Sequence, residues 1–275
     1  MKKRQDLIRG YAVLSTAAMF VLMFLLFINF VIAIAEPQGP TTVSIAGSGR
    51  FTNNTAPVIS EAQAGNVTAL VITNTRATEA WQGYYGNITG TITLDDASNS
   101  TLYDWSLPAP SGEVYASNSS LVTWSKVYCM NVSADRNYSG VGSGLGGGQY
   151  YTINGTGIEL NFGINVSDRD GLNETFNDTY TDTTGFRVGS ITIDRVDGCS
   201  LAHPYTSQAY LETGWQELLL TDNSSVIFTG LVRDSANGFE TGATDTYDFQ
   251  LMVLENGHVG SETTTTPYYF FVELS

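Results

Sequence analysis

Carboxylates are the residues of this chain best suited to acid–base chemistry. Two carboxyl groups about 5–9 Å apart hydrolyse glycosidic bonds, one as the acid and the other as the base or nucleophile. Glutamates that would serve in this way are Glu113, Glu159, Glu212 and Glu217. Their sequence spacing places no two of them in one site. Only a cleft that holds two close carboxylates would indicate such an enzyme.

One acidic segment has the residue types of a calcium loop. Asp168, Asp170, Asn173 and Glu174 surround Gly171 and offer oxygen ligands at short spacing. The complete twelve-residue EF-hand pattern is absent, and Asn173 also begins a glycosylation sequon. The alternative interpretation is a solvated acidic turn.

Other catalytic and cofactor motifs are weaker. The two histidines, His203 and His258, lie in turn-like contexts without a nucleophile motif nearby. The glycines of residues 142–147 match a dinucleotide fingerprint, which needs a helix after it, but a strand-like stretch follows. We therefore expect no enzyme, and no cofactor other than the calcium that residues 168–174 would hold.

Cysteine and asparagine usage indicates export. Cys129 and Cys199 are the only cysteines and predict one disulfide, the alternatives being two buried thiols or half of a metal site. Twelve of the 17 asparagines after residue 35 begin an Asn-x-Ser/Thr sequon, which predicts a heavily N-glycosylated surface. These are Asn53, Asn66, Asn87, Asn99, Asn118, Asn131, Asn137, Asn154, Asn165, Asn173, Asn177 and Asn223.

The N-terminal segment sets the topology. Residues 11–35 carry no charge and are long enough for a membrane-crossing helix, and the basic residues before them place residues 36–275 outside the cytoplasm. Residues 1–35 are a cleaved signal peptide, a membrane anchor, or a pilin-like leader cut after Gly10. The remainder has 8 basic and 26 acidic residues, a net charge of −18, which disfavours nucleic acid as a partner.

The body after the 36–40 spacer has the pattern of short strands. Hydrophobic alternation and turn residues predict strands near 41–46, 67–73, 81–94, 101–106, 113–116, 121–130, 158–166, 186–194, 216–221, 225–233, 247–254 and 268–274. A helical turn is expected only near 172–176. We predict an all-β fold: a β-sandwich-like antiparallel body, residues 41–275, behind a single N-terminal hydrophobic helix. The glycine-rich stretch 140–148 is read as a loop within one domain rather than as a linker between two.

Three parts of this body suggest roles. The aromatic residues Trp81, Tyr84, Tyr85, Trp105, Trp124 and Trp215 would fill a core or, stacked on an open face, bind sugars. The strand at 41–46 follows a spacer, so it would pair either within its own domain or with a neighbour's sheet. The apolar strand at 268–274 is expected at the centre of a sheet, because bare apolar edges aggregate.

Two stretches carry a family resemblance. The sequence Trp-Gln-Gly-Tyr-Tyr-Gly-Asn at 81–87, with residues 247–257 and 268–274, resembles a group of exported, sequon-rich archaeal surface proteins without an assigned activity. This resemblance implies a cell-surface protein and assigns no catalytic residues.

The sequence therefore predicts an extracellular or cell-surface glycoprotein, secreted or membrane-anchored through residues 11–35. Its expected role is structural, as a coat, adhesion or filament subunit that self-associates by strand addition. The alternative is a carbohydrate-binding module, with calcium as a second ligand.

Overall fold

Strands dominate the computed structural model, as the period-two pattern predicts. The structure describes residues 36–50, 56–132, 140–143, 149–152, 155–165, 167–203, 205–206, 209–210, 215–234, 236–237, 246–255 and 265–275. The hydrophobic helix predicted for residues 11–35 lies outside them.

The described strands are, in chain order, β1 Trp81–Gly86, β2 Thr91–Asp95, β3 Thr101–Ser106, β4 Gly112–Ser117, β5 Tyr128–Asn131, β6 Gly140–Ser143, β7 Gln149–Thr152, β8 Asp178–Thr179, β9 Phe186–Val188, β10 Ile191–Ile193, β11 Ser200–Leu201, β12 Tyr205–Thr206, β13 Ala209–Tyr210, β14 Glu217–Thr221, β15 Val226–Leu231, β16 Ala236–Asn237, β17 Thr246–Tyr247, β18 Phe249–Leu254 and β19 Tyr269–Leu274. Helical structure comprises Gly155–Asn161, the single turn Leu172–Thr175 and the 3-10 turn Trp124–Lys126.

One sheet organises this body. Its strands lie in the order β19–β4–β15–β14–β5–β7–β6, with β11 beside β14 and β8 beside β11. All neighbours are antiparallel except β5 and β7. The fold is therefore all-β and mainly antiparallel, as predicted.

Both faces of the central strands are buried. On one face Leu219 and Phe228 pack in a core with Leu251 and Val253 of β18, which pairs with β1. The apolar run of β14 has no polar alternation because a second core occupies the opposite face.

The second core contains residues that are adjacent in sequence to Leu219 and Phe228 and lie on the opposite face of the sheet. Leu218, Leu220 and Ile227 cluster there with Val188 and Ile193 of the β9–β10 hairpin. The disulfide Cys129–Cys199 also lies in this core, with its Cα atoms 4.6 Å apart and both residues fully buried. The predicted disulfide is thus confirmed.

Several predicted strands are confirmed and others are wrong. The hairpin at 101–106, the strands of β4, β14, β15 and β18, and the turn at Leu172–Thr175 occur close to their expected bounds. Residues 158–166 were expected as a strand, but residues up to Asn161 belong to a helix. Its apolar residues Ile158 and Phe162, four apart, pack together on the first core.

A glycine explains where that helix ends. Gly163 has φ 69°, the left-handed region that favours glycine. The Ile164 N–H donates to the Glu159 carbonyl at 2.8 Å, and the Gly163 N–H donates to the Leu160 carbonyl at 3.1 Å. This is the Schellman arrangement, which terminates a helix and not a strand.

Strand β19 corrects another expectation. It is the terminal strand of the sheet rather than a central one, and Gln38 alone among the described residues pairs with its outer edge, at Val272. The apolar side chains tolerate this position because Phe270 packs on the first core and Phe271 on the second. Only the backbone edge is left open.

We expect the Cys129–Cys199 bridge to stabilise the fold by about 2–4 kcal/mol, because it closes a loop of 70 residues in the unfolded chain. Urea unfolding of the Cys129→Ala/Cys199→Ala protein should show this loss. Reductant should lower the midpoint of the native protein and leave that of the double variant unchanged. Equal sensitivity of both proteins to reductant would contradict the assignment.

Candidate functional site: a glutamate cleft and an unpaired strand surface

Two glutamates face each other across neighbouring strands of the main sheet. Glu113 of β4 is the direct partner of Glu273 of β19 in the antiparallel register. Directly opposed residues have Cβ atoms about 5 Å apart on one face of the sheet, and like charges in such pairs repel. Both side chains line the same surface cleft.

Glu273 is the glutamate of this pair whose carboxyl group accepts a hydrogen bond from the protein. The Gly189 N–H lies 2.9 and 3.1 Å from its two carboxyl oxygens, while the nearby Tyr115 hydroxyl donates to the Arg187 carbonyl at 3.4 Å. Burial raises the pKa of Glu273 above its ordinary value, and the Gly189 hydrogen bond and the Arg187 charge oppose that rise. Both favour its carboxylate form.

Glu113 is in a different environment. It is only 7% exposed, and its carboxyl group forms no hydrogen bond with any residue the structure describes. Burial first, and then the Glu273 charge, raise the pKa of Glu113 to about 8. At neutral pH its carboxyl group is therefore protonated and carries an O–H donor.

The cleft has a volume of about 440 Å³. Phe186, Leu231 and Val232 provide apolar wall, and Arg187 adds a cation beside the two glutamates. Gly112 at its base has φ 126°, and a Cβ there would lie 2.0 Å from the Glu273 carbonyl oxygen. Glycine is thus required for β19 to approach β4 at the cleft.

A second candidate site is formed by two irregular stretches that pair with no strand the structure describes. Residues 41–50 and 56–78 form no strand, so the strands predicted at 41–46 and 67–73 are absent. Their apolar side chains face solvent: Val67 is 101% exposed and Val71 98%, with Val43, Ile45 and Ile72 also exposed. Strand-forming residues normally bury such surface against a sheet.

The β2–β3 ribbon also exposes apolar side chains, four of them on one of its faces. Its register opposes Ile92 to Trp105 and Leu94 to Tyr103, which places these four apolar residues on one face. All four are exposed, and the Tyr103 and Trp105 rings lie 6.4 Å apart between centroids. Isolated two-stranded ribbons are marginally stable, so this apolar face favours a partner.

Two of the predicted calcium ligands are hydrogen-bonded to other residues of the protein. The Asp170 carboxylate accepts from the Thr78 hydroxyl at 2.6 Å, and the Asn173 amide donates to Glu159 at 3.0 Å. Among the described residues no group of three His, Cys, Asp or Glu side chains is arranged to hold a metal. Calcium binding by Asp168, Asp170, Asn173 and Glu174 stays a prediction.

The other glutamates of the sequence prediction lie apart from Glu113. Glu159 is buried and accepts from the backbone and side chain of Asn173. Glu217 lies on the opposite face of the sheet, where its Oε2 accepts from the Met252 N–H at 2.9 Å and its Oε1 has no partner. Burial raises its pKa well above the usual range. Glu212 and His258 lie outside the described residues.

Sequence reasoning did not select Glu273. Its signal was a single charge in the apolar strand Tyr269–Leu274, which marks a position where the strand faces something polar. Pairing it with Glu113 required the strand order, which spacing along the chain does not reveal.

The aromatic residues divide between core and surface. Trp81 and Tyr84 pack on the first core, and Trp124 lies in the second. Tyr85 and Trp105 are exposed and lie on different strands, and Trp215 is half-buried. His203 lies 3.6 Å from the Asp178 carboxylate.

The described sequons differ in the state of their asparagines. Seven are exposed: Asn66, Asn87, Asn99, Asn118, Asn165, Asn177 and Asn223. Asn131 and Asn173 are half-buried, and their side-chain amides donate to the Gly198 carbonyl and to Glu159. Asn53, Asn137 and Asn154 lie outside the described residues.

No family model, no curated protein and no solved structure matches this chain. Neither helix in the described part of the chain has the length and apolar character to span a membrane.

The two buried glutamates predict a fall in stability with rising pH. Both have a folded-state pKa above the ordinary value of 4.5, so above pH 4.5 the unfolded chain releases protons that the folded chain retains. For Glu113, whose pKa is about 8, this should lower the free energy of unfolding by about 1.4 kcal/mol per pH unit up to about pH 8, and Glu217 should act in the same direction. Denaturant titrations across this range should show flatter slopes for Glu113→Gln and Glu217→Gln. The exposed control Glu79→Gln should keep the native slope, and an unchanged slope in the first two variants would contradict their assigned protonation states.

Burial also predicts which sequons accept glycans. Transfer requires an accessible asparagine, so we expect high occupancy at the seven exposed asparagines and low occupancy at Asn131 and Asn173, which are half-buried with their amides bonded within the protein. Site-resolved mass spectrometry of the native protein measures this directly. Full occupancy at Asn173 would mean that its bond to Glu159 forms only in unglycosylated protein.

Proposed function

We propose that this chain is an exported structural glycoprotein of the cell surface, with a β-sandwich-like body, whose copies associate by strand addition. One observation carries the proposal: residues 41–50 and 56–78 form no strand, yet they expose strand-forming apolar residues. The uncharged segment 11–35, the disulfide and the twelve sequons support an extracytoplasmic location.

The donor is the segment of residues 66–73. Val67 and Val71 project to one side of an extended chain, and Leu70 and Ile72 to the other, so both faces are apolar. Full burial of each such side chain contributes about 1.5–3 kcal/mol. Such a segment fits between a sheet and a second layer, rather than at a solvated surface.

The acceptor is the apolar face of the β2–β3 ribbon in a second copy. Ile92, Leu94, Tyr103 and Trp105 present an unpaired surface one strand pair wide. Because donor and acceptor are different surfaces of the same chain, the contact is heterologous. Such contacts propagate into rings or open filaments instead of closing as symmetric dimers.

Charge on the donor or the acceptor should abolish assembly. We expect native protein in high-mass particles, and Val67→Asp/Val71→Asp and Ile92→Asp proteins as monomers, because a buried unpaired carboxylate opposes association. Sedimentation velocity with electron microscopy distinguishes these states. The matched controls are Ser60→Asp, before the donor, and Thr91→Asp, opposite Ser106 on the polar face of the same ribbon, and both should assemble normally.

A mixture of the donor variant and the acceptor variant tests whether the donor segment of one copy binds the ribbon of another. Each retains one working surface, so a 1:1 mixture should form heterodimers and stop there. Native-like assembly of either aspartate variant alone would overturn the proposal, as would monomeric native protein at every concentration.

A further inference from the structure

We propose that the cleft between β4, β19 and β9 binds a neutral, polyhydroxylated ligand of the sugar class, with Glu113 as a hydrogen-bond donor and Glu273 as an acceptor. The strand register brings these two carboxyl groups together at one cleft, where Phe186 and Leu231 form apolar wall. The inference is independent of the assembly proposed above, since neither the donor segment nor the ribbon face lines the cleft.

The dimensions suit a small organic ligand. A volume of about 440 Å³ lies within the usual range of small-molecule pockets. A few polar groups among apolar walls is also the usual composition of such sites. A sugar ring matches both parts, since its hydroxyl groups need hydrogen bonds and its C–H faces pack on apolar surface.

The charges at the cleft disfavour anionic ligands and metal ions. An anion would face the Glu273 carboxylate in a chain of net charge −15. A metal ion would need more oxygen ligands than two glutamates provide, and the Gly189 N–H and the Arg187 charge are already directed to Glu273. A neutral ligand avoids both conflicts.

Glu113 gives the strongest indication of a ligand. Glu113 is only 7% exposed, its carboxyl group has no hydrogen-bond partner among the described residues, and it lines the cleft, so a ligand bound there can use its hydrogen-bonding capacity. Its raised pKa leaves it protonated at neutral pH, so it donates to a ligand hydroxyl. Glu273 retains lone pairs beyond those used by Gly189 and accepts from a neighbouring hydroxyl.

The test is isothermal titration of the full-length protein with glucose, galactose, mannose and N-acetylglucosamine at about pH 6, combined with hydrogen exchange of the peptide that contains Gly189. We expect at least one sugar to bind with a Kd below about 10 mM and to slow exchange at Gly189. Glu273→Gln should weaken binding about tenfold or more, whereas Glu79→Gln and the buried Glu217→Gln should bind like native protein.

A pH series tests the donor role without relying on a variant that may fold poorly. Affinity of the native protein should fall several-fold as pH rises past about 8, where Glu113 loses its proton. Glu113→Gln retains an N–H donor, so its affinity should not change over that range. The proposal is overturned if no sugar binds at about 100 mM, or if Glu273→Gln binds as tightly as native protein. Native affinity that is constant to above pH 9 would remove Glu113 as the donor.

Discussion

The antiparallel ladder of β4, β15 and β14 is the constraint on which the rest of this structure depends. Alternate residues along it enter two separate cores, so Val114 and Phe228 pack on one side and Tyr115 and Ile227 on the other. A one-residue slip in register would exchange these sets between the cores. The pairing of β19 with the other edge of β4 fixes Glu113 opposite Glu273, so the sheet positions the cleft as well.

The sequence predicts most of this ladder for a physical reason. Apolar runs such as Leu218–Leu220 are local signals, and turn residues bound them: Asn223, with φ 72°, occupies the β14–β15 turn where the Asp-Asn-Ser sequence predicts a hairpin. Strand order is not local. Nothing near Glu273 along the chain reveals Glu113, which is why the pair was missed and β19 was expected in the centre of the sheet.

Two other errors have different causes. Residues 155–161 form a helix because Ile158 and Phe162 share a face at a spacing of four, a signal that short apolar runs leave ambiguous between helix and strand. Residues 41–46 and 67–73 have strong β propensity but form no strand, because propensity expresses fit to a neighbouring sheet and no described strand pairs with them. That absence is the physical basis of the assembly proposal.

Two predicted glycosylation sites lie close to the surfaces proposed for assembly. Asn66 is the first residue of the donor segment, and Asn99 lies in the turn that joins β2 to β3. Both are exposed, and neither belongs to the apolar face formed by Ile92, Leu94, Tyr103 and Trp105. Glycans at these positions would shield the ends of unpaired strands, where adventitious edge pairing begins, and leave the apolar faces open. Sequons at the ends of the segments thus favour one ordered contact between copies over non-specific aggregation.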